Sequence, residues 1–203
     1  MSYQYPEHFK YPDERIFFSD NIDLWEHLFG YFKDRINTCL EIGALYGGSS
    51  VYILEEFCKN PNSHHYIMDI NTNEYIKNNI QPYSDRVTFI NGESNNSFKT
   101  FNHFGKTKEF LDFVYIDGNH MSRYVLEDAV NSFYCLKNHG IMVFDDYGGG
   151  WEQEKHLQVK TAVDSFISAY EKDINVISIG YQFIIQKINY ENNSDFTANY
   201  YKL

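Results

Sequence analysis

Residues 175–186 read NVISIGYQFIIQ, two short Ile-bearing runs parted by only Gly180 and Tyr181. A parallel crossover takes about a dozen residues or more, so runs joined this tightly pair as an antiparallel hairpin. Upstream of the hairpin, short apolar runs alternate with longer helical stretches. Strands are expected at residues 38–42, 65–69, 87–91, 113–117 and 141–144, then at 175–179 and 182–186 in the hairpin. Helices are expected at 21–33, 48–58, 72–79, 95–101, 122–136 and 155–170. In the first, Ile22, Leu24, Trp25, Leu28, Phe29 and Phe32 recur at helical spacing behind Asp20 or Asn21 as N-cap. The alternation implies βαβ units and a parallel sheet covered on both faces, closed at one side by the antiparallel hairpin.

A chain of 203 residues suits one α/β domain. We expect an aromatic arm and first helix over 1–36, a core over 37–187 and an Asn- and Tyr-rich peripheral tail over 188–203. Hydrophobic residues at 43% and charged residues at 22% are globular rather than disordered proportions. With 17 Lys and Arg against 28 Asp and Glu, the formal net charge of −11 argues against a nucleic-acid partner. The longest apolar stretches, 113–116 and 141–144, are far too short for a membrane span. The opening MSYQYPEHFKYPDER lacks the basic and apolar regions of a secretory signal. Cys39, Cys58 and Cys135 have no paired spacing and read as reduced filler, so a cytoplasmic location is expected. The arm's Tyr3, Tyr5, Phe9 and Tyr11 pack on the domain or on a neighbour, which leaves a homodimer open.

The segment CLEIGALYGGSSVYIL, residues 39–54, runs strand, glycine turn, helix. Gly43 ends the strand where a side chain would block a ligand from the backbone, and Gly47 and Gly48 open a helix whose free N–H groups favour an anion. Ser49 adds a hydroxyl there. The spacing is not G-x-G-x-x-G, which weakens a dinucleotide reading; a tight turn that binds nothing is the alternative. Asp69 ends the second strand, where an acid accepts from both ribose hydroxyls or caps the next helix. After the third strand, Gly92 permits a sharp turn, and Glu93, Ser94 and Asn95 suit an adenine edge or a helix cap.

Strand four ends in YIDGNH and strand five in MVFDDY, which gathers Asp117, Asp145 and Asp146 in one crevice without basic neighbours. Close carboxylates repel and raise one another's pKa unless a cation sits between them, and Mg²⁺ is the default hard ion for oxygen ligands. Loop-capping roles are the alternative. His120, three residues past Asp117, is placed to act as general base.

Taken together, EIGALYGGS, MDIN, VTFINGES, VYIDGNH and VFDDY resemble the class I S-adenosylmethionine-dependent methyltransferases across about residues 38–187. Within these the chain looks most like the metal-dependent small-molecule O-methyltransferases, of the catechol and macrolide-sugar types. The resemblance implies a Rossmann-like, seven-stranded doubly wound sheet of order 3-2-1-4-5-7-6. It implies that Glu41 and Gly43, with Ala44 and Gly47, line the methionine part of the cofactor, and that Ser49 holds its carboxylate. By the same resemblance Asp69 meets the ribose, Gly92, Glu93, Ser94 and Asn95 meet the adenine, and Asp117 serves both cofactor and metal. Asp117, Asp145 and Asp146 fall on the metal-ligand positions of the catechol enzyme, where position 146 is Asn rather than Asp. His120 falls where that enzyme has its catalytic Lys, which argues against a simple catechol and for a sugar or activated phenolic hydroxyl.

The expected activity is therefore methyl transfer to a hydroxyl of a small molecule or sugar, assisted by Mg²⁺ and a His base. A metal-independent enzyme acting on a protein or nitrogen acceptor, and a non-catalytic cofactor-binding subunit, are the competing readings. A nicotinamide dehydrogenase is disfavoured by the glycine spacing. Specificity is expected from the arm and from residues 148–158, where Trp151, Glu152 and His156 reach over the metal or form only a mobile surface loop. Arg123 meets an acidic substrate or pairs with Glu127.

Overall fold

The computed structural model describes residues 3–12, 16–30, 33–103, 108–150 and 154–188. Its strands are β1 (Thr38–Ile42), β2 (His64–Asp69), β3 (Val87–Asn91), β4 (Leu111–Ile116), β5 (Leu136–Phe144), β6 (Ile174–Ile179) and β7 (Phe183–Lys187). The helices are α1 (Ile22–Phe29), α2 (Gly48–Glu56), α3 (Glu74–Ile80), α4 (Ser94–His103), α5 (Ser122–Cys135) and α6 (Val159–Ala169). All seven strands form one sheet of order β3-β2-β1-β4-β5-β7-β6, with β7 antiparallel to both β5 and β6. The expected topology, including its closing hairpin, is the one observed.

Sequence alternation dictates the two layers. Even-numbered residues of β1, Leu40 and Ile42, face a core shared with Phe98 of α4, Val125 and Phe133 of α5 and Phe166 of α6. Odd-numbered Cys39 faces the other side, with Trp25 and Phe29 of α1, Val51 and Leu54 of α2 and Ile76 of α3. Both faces of a parallel sheet are thus buried, which is why its strands read as continuous apolar runs. Trp25 is fully buried at the centre of an aromatic cluster with Phe18, Phe57, Phe113 and Tyr115. Its indole N–H donates to Gln182 Oε1 at 2.7 Å, which ties α1 to the hairpin.

The largest departure from expectation is β5, which begins at Leu136 rather than Ile141. His139 sits at φ +65° within it, and the β4–β5 register shifts between Leu111 and Phe113. This irregularity, together with the polar Lys137-Asn138-His139, interrupts the apolar pattern by which a strand is recognised. α1 stops at Phe29, with Gly30 following, and Phe32 lies outside the described residues. Residues 155–157 form a separate 3-10 turn ahead of α6.

The arm packs on its own domain. Tyr3 meets Tyr52 edge-on at 4.8 Å between centroids, and Tyr5 stacks on Phe9 at 4.3 Å. Buried Asn79 of α3 straps it down, accepting from Lys10 N at 2.8 Å and donating to Lys10 O at 2.7 Å. Among the described residues no helix is long and apolar enough to cross a membrane. Cys39, Cys58 and Cys135 are all free and buried.

Candidate active site

Strand order reverses between β1 and β4, and in such sheets the crevice outside the strand ends at the reversal is where ligands bind. A cavity of about 860 Å³ opens there, a size typical of small-molecule sites. Its wall combines the β1–α2 loop, residues 68–73 and 92–95, residues 117–120, Tyr124 and Asp128. The N-terminal segment adds Tyr11, Phe17 and Phe18. Gly43, Ala44, Ser49, Asp69, Gly92, Glu93, Ser94, Asn95, Asp117 and His120, all singled out from the sequence, line this one space.

Gly43 has φ +87°, and a Cβ there would lie 2.0 Å from the carbonyl oxygen of Asp117. The missing side chain lets the ends of β1 and β4 close against each other while leaving the crevice open above them. Gly47, at φ +89°, is the N-cap residue of α2 and packs against Ile76. Asp69 Oδ2 accepts from the amides of Ala44 at 2.7 Å and Leu45 at 3.1 Å, and Oδ1 accepts from Asn71 N at 2.7 Å. The acid therefore fixes the glycine loop's shape, and by lone-pair count retains one acceptor site for a ligand hydroxyl. It does not cap α3: Asn73 does, accepting from Ile76 N at 3.0 Å.

Glu41 does not reach the cavity wall. As an odd-numbered residue of β1 it points under α2, where it is fully buried and accepts from the hydroxyls of Ser49 and Ser50 and from His65 Nε2. Its observed contacts buttress the loop from below, which departs from the methionine-lining place expected of it. Ser49 lines the cavity, but its hydroxyl is turned to Glu41.

At the ends of β4 and β5, Asp117, His120 and Asp146 bring ligand-capable atoms within 4.8 Å of one another. His120 Nε2 lies 3.0 Å from Asp146 Oδ2. That hydrogen bond raises the His120 pKa, against the opposing effect of burial. Burial and the neighbouring charges of Asp145 and Asp146 push Asp117 well above the usual carboxylate range. Burial also works to raise Asp146, but hydrogen bonds from His120 and Tyr181 outweigh it and hold the pKa down. Asp146 sits at φ +55°, a left-handed conformation that Asp tolerates and that clusters at functional sites.

Asp145 stands one step back. The Tyr115 hydroxyl donates to its Oδ2 at 2.7 Å, and Gln182 Nε2 donates to its Oδ1 at 3.1 Å. Tyr115, Tyr181 and Gln182 are the contributors that sequence reasoning missed. The register supplies the signal for two of them: Phe144 pairs with Phe183 antiparallel, so the hairpin turn carries Gln182 and Tyr181 back alongside Asp145 and Asp146.

Other expected contributors are elsewhere. Arg123 stacks on Tyr124 with its guanidinium 4.3 Å from the ring centroid. His156 is exposed beside Glu154 and is not in the cavity wall. Trp151 and Glu152 lie outside the described residues, as does the tail from 189.

No Lys or Arg is among the described residues lining the cavity, whereas Asp69, Glu93, Asp117 and Asp128 are. An acid-lined space suits a ligand that brings N–H, O–H and positive charge. It is poorly matched to a pyrophosphate.

A family model described as a methyltransferase domain matches residues 40–147, more than half of the chain. Among solved structures, the MycE methyltransferase of the mycinamycin biosynthetic pathway, in complex with Mg, SAH and mycinamycin VI, is similar at TM-score 0.65 and 18% identity over 87% of this chain. This chain spans about half the length of that one, 52%. The O-methyltransferase TomG of Streptomyces achromogenes, involved in tomaymycin synthesis and solved with SAM, gives TM-score 0.67 at 15% identity, covering 88% of this chain and 83% of that one. An O-methyltransferase from Bacillus cereus in complex with SAH gives TM-score 0.63 at 15% identity, covering 91% and 84%. At such identities these likenesses establish the fold. No curated protein matches the chain. The family match over β1 to the turn after β5 spans the glycine loop and the acid-bearing strand ends, and the chain belongs to this methyltransferase-domain family.

Proposed function

We propose that the chain is an S-adenosylmethionine-dependent O-methyltransferase that methylates a hydroxyl of a small molecule or sugar, with Mg²⁺ held by Asp117, Asp145 and Asp146 and His120 as general base. The carrying observation is that one cavity is lined together by the glycine loop, Asp69, Asp117 and His120. The fit of each group can be judged from the chain itself. For the cofactor, Gly43 leaves backbone exposed where a Cβ would intrude, and Asp69 retains an acceptor for a ribose hydroxyl. For the ion, Asp117 lies beside two carboxylates whose repulsion a hydrogen bond from the Tyr115 hydroxyl offsets only in part, and oxygen donors are what Mg²⁺ prefers. When bound, the two groups supply an electrophilic methyl on a sulfonium and Lewis acidity toward the acceptor hydroxyl.

The chain's own contributions are alignment and proton handling. Tyr11, Phe17 and Phe18 add aromatic wall that excludes water, while the backbone of Gly43 and Asp117, which approach each other closely, aligns the methyl donor. His120 takes the acceptor's proton at a ring nitrogen, and Asp146 orients that ring through the 3.0 Å contact. Tyr181 in turn steadies Asp146, and Gln182 with Tyr115 steadies Asp145.

The metal-independent reading has one observation in its favour: Asp146 and Asp145 already have donors within the chain. A chelator separates the two. Exhaustive EDTA treatment followed by an assay on a panel of hydroxylated acceptors is expected to lower turnover by at least about a hundredfold, with Mg²⁺ restoring it. Turnover indifferent to chelation would leave the cofactor assignment standing and end the metal-dependent one.

A further inference from the structure

Asp128 of α5 forms part of the cavity wall beside residues 92–95, yet it is only 2% exposed. Its Oδ1 has no hydrogen-bond partner, and its carboxyl is otherwise met by the side chain of Ser94, the first residue of α4. A carboxylate oxygen left unpaired at such depth is costly, and native folds keep few of them without a reason. No Lys or Arg shares the cavity wall with it among the described residues, so the missing donor is not a cation of the chain. Ser132, one turn further along α5, also has an unpaired hydroxyl, but it is not in the cavity wall.

The geometry points to a ligand as the source of that donor. We propose that Asp128 reads the exocyclic amino group of the cofactor's adenine ring and so sets the base specificity of the site. This rests on the S-adenosylmethionine reading above and adds to it a residue that the sequence did not single out. The amino group is the one N–H donor on the adenine of a nucleoside, so an acceptor facing the ring edge can be satisfied by it alone. Ser94 steadies the carboxyl from the same loop whose Gly92 permits the turn. Burial has already pushed this carboxyl up to about 7, as expected of an acid waiting for a donor, with Glu127 adding to the rise and Ser94 opposing it.

The test compares S-adenosylhomocysteine with S-inosylhomocysteine, in which a carbonyl oxygen replaces the amino group. Calorimetric titrations would use wild type, Asp128→Leu, which keeps the shape of the side chain without its acceptors, and Asp128→Ala. Wild type is expected to prefer the adenosyl compound by at least about tenfold, since a site built to accept a hydrogen bond rejects a ligand that puts an acceptor in the donor's place. In either folded variant that preference is expected to fall to within about twofold, mostly through weaker adenosyl binding. Thermal melts identify the variants that fold. A wild type that binds both probes equally overturns the inference without any variant. A variant in which both affinities fall in parallel, preserving the ratio, overturns it too, because Asp128 then serves only to support the Ser94 loop. A folded wild type that binds neither probe overturns instead the cofactor reading on which the inference stands.

Discussion

Gly43→Ala is expected to destabilise the protein by about 3–5 kcal/mol and to abolish cofactor binding in whatever fraction remains folded. Two effects combine. The backbone at φ +87° is strained for any residue with a Cβ. The added methyl also falls 2.0 Å from Asp117 O, 2.6 Å from its carbonyl carbon and 2.8 Å from Gly118 Cα, all of them backbone atoms that cannot rotate aside. Relief requires β1 and β4 to part at their carboxyl ends, which breaks the Asp117 N to Ile42 O bond of 2.8 Å on the floor of the crevice. Gly180→Ala is the control. It sits in the hairpin turn without positive φ, and its nearest neighbour would be 3.9 Å away, so the change is expected to stay within about 1 kcal/mol. Urea midpoints of the two variants check the pair; equal midpoints would remove Gly43 from its structural place in this account.

His120→Ala is expected to lower kcat by about 10²–10⁴-fold while S-adenosylhomocysteine still binds, since proton transfer is lost and the cofactor's end of the cavity is untouched. The ring is exposed, and its contact with Asp146 holds its direction. Asp146→Ala should therefore also reduce kcat, and combining the two changes should cost much less than the product of the single effects, because the two residues act as one unit. A double variant whose losses multiply would mean that the two act separately, and an unaltered His120→Ala would place the base elsewhere.

Most of the fold was legible because it rests on patterns that local chemistry enforces. The two-residue link at Gly180–Tyr181 forces antiparallel pairing, and short apolar runs such as 38–42 and 113–117, interleaved with helical stretches, leave little choice but a buried parallel sheet. The start of β5 was not legible, because the His139 irregularity hides a strand inside a polar stretch. Strand ends and loop spacing put Asp69, Asp117, His120 and Asp146 at one crevice, and the structure has the first three lining one cavity with Asp146 beside them. Strand parity turns Glu41 under α2, away from the cavity wall that Gly43 forms, a placement that the loop's spacing does not disclose. Tyr181, Gln182 and Asp128 depend on contacts across the sheet or between helices, at separations that local pattern does not encode.

All of these roles depend on the crevice at the β1–β4 reversal taking S-adenosylmethionine. Calorimetric titration of the wild-type chain with S-adenosylhomocysteine reads that occupancy without an acceptor substrate. Saturable one-site binding of micromolar affinity is expected, greatly weakened by Asp69→Ala, which removes both the proposed ribose acceptor and the support of the Ala44 and Leu45 amides. A folded protein that shows no saturable binding, or binds equally well without the Asp69 carboxylate, would contradict it.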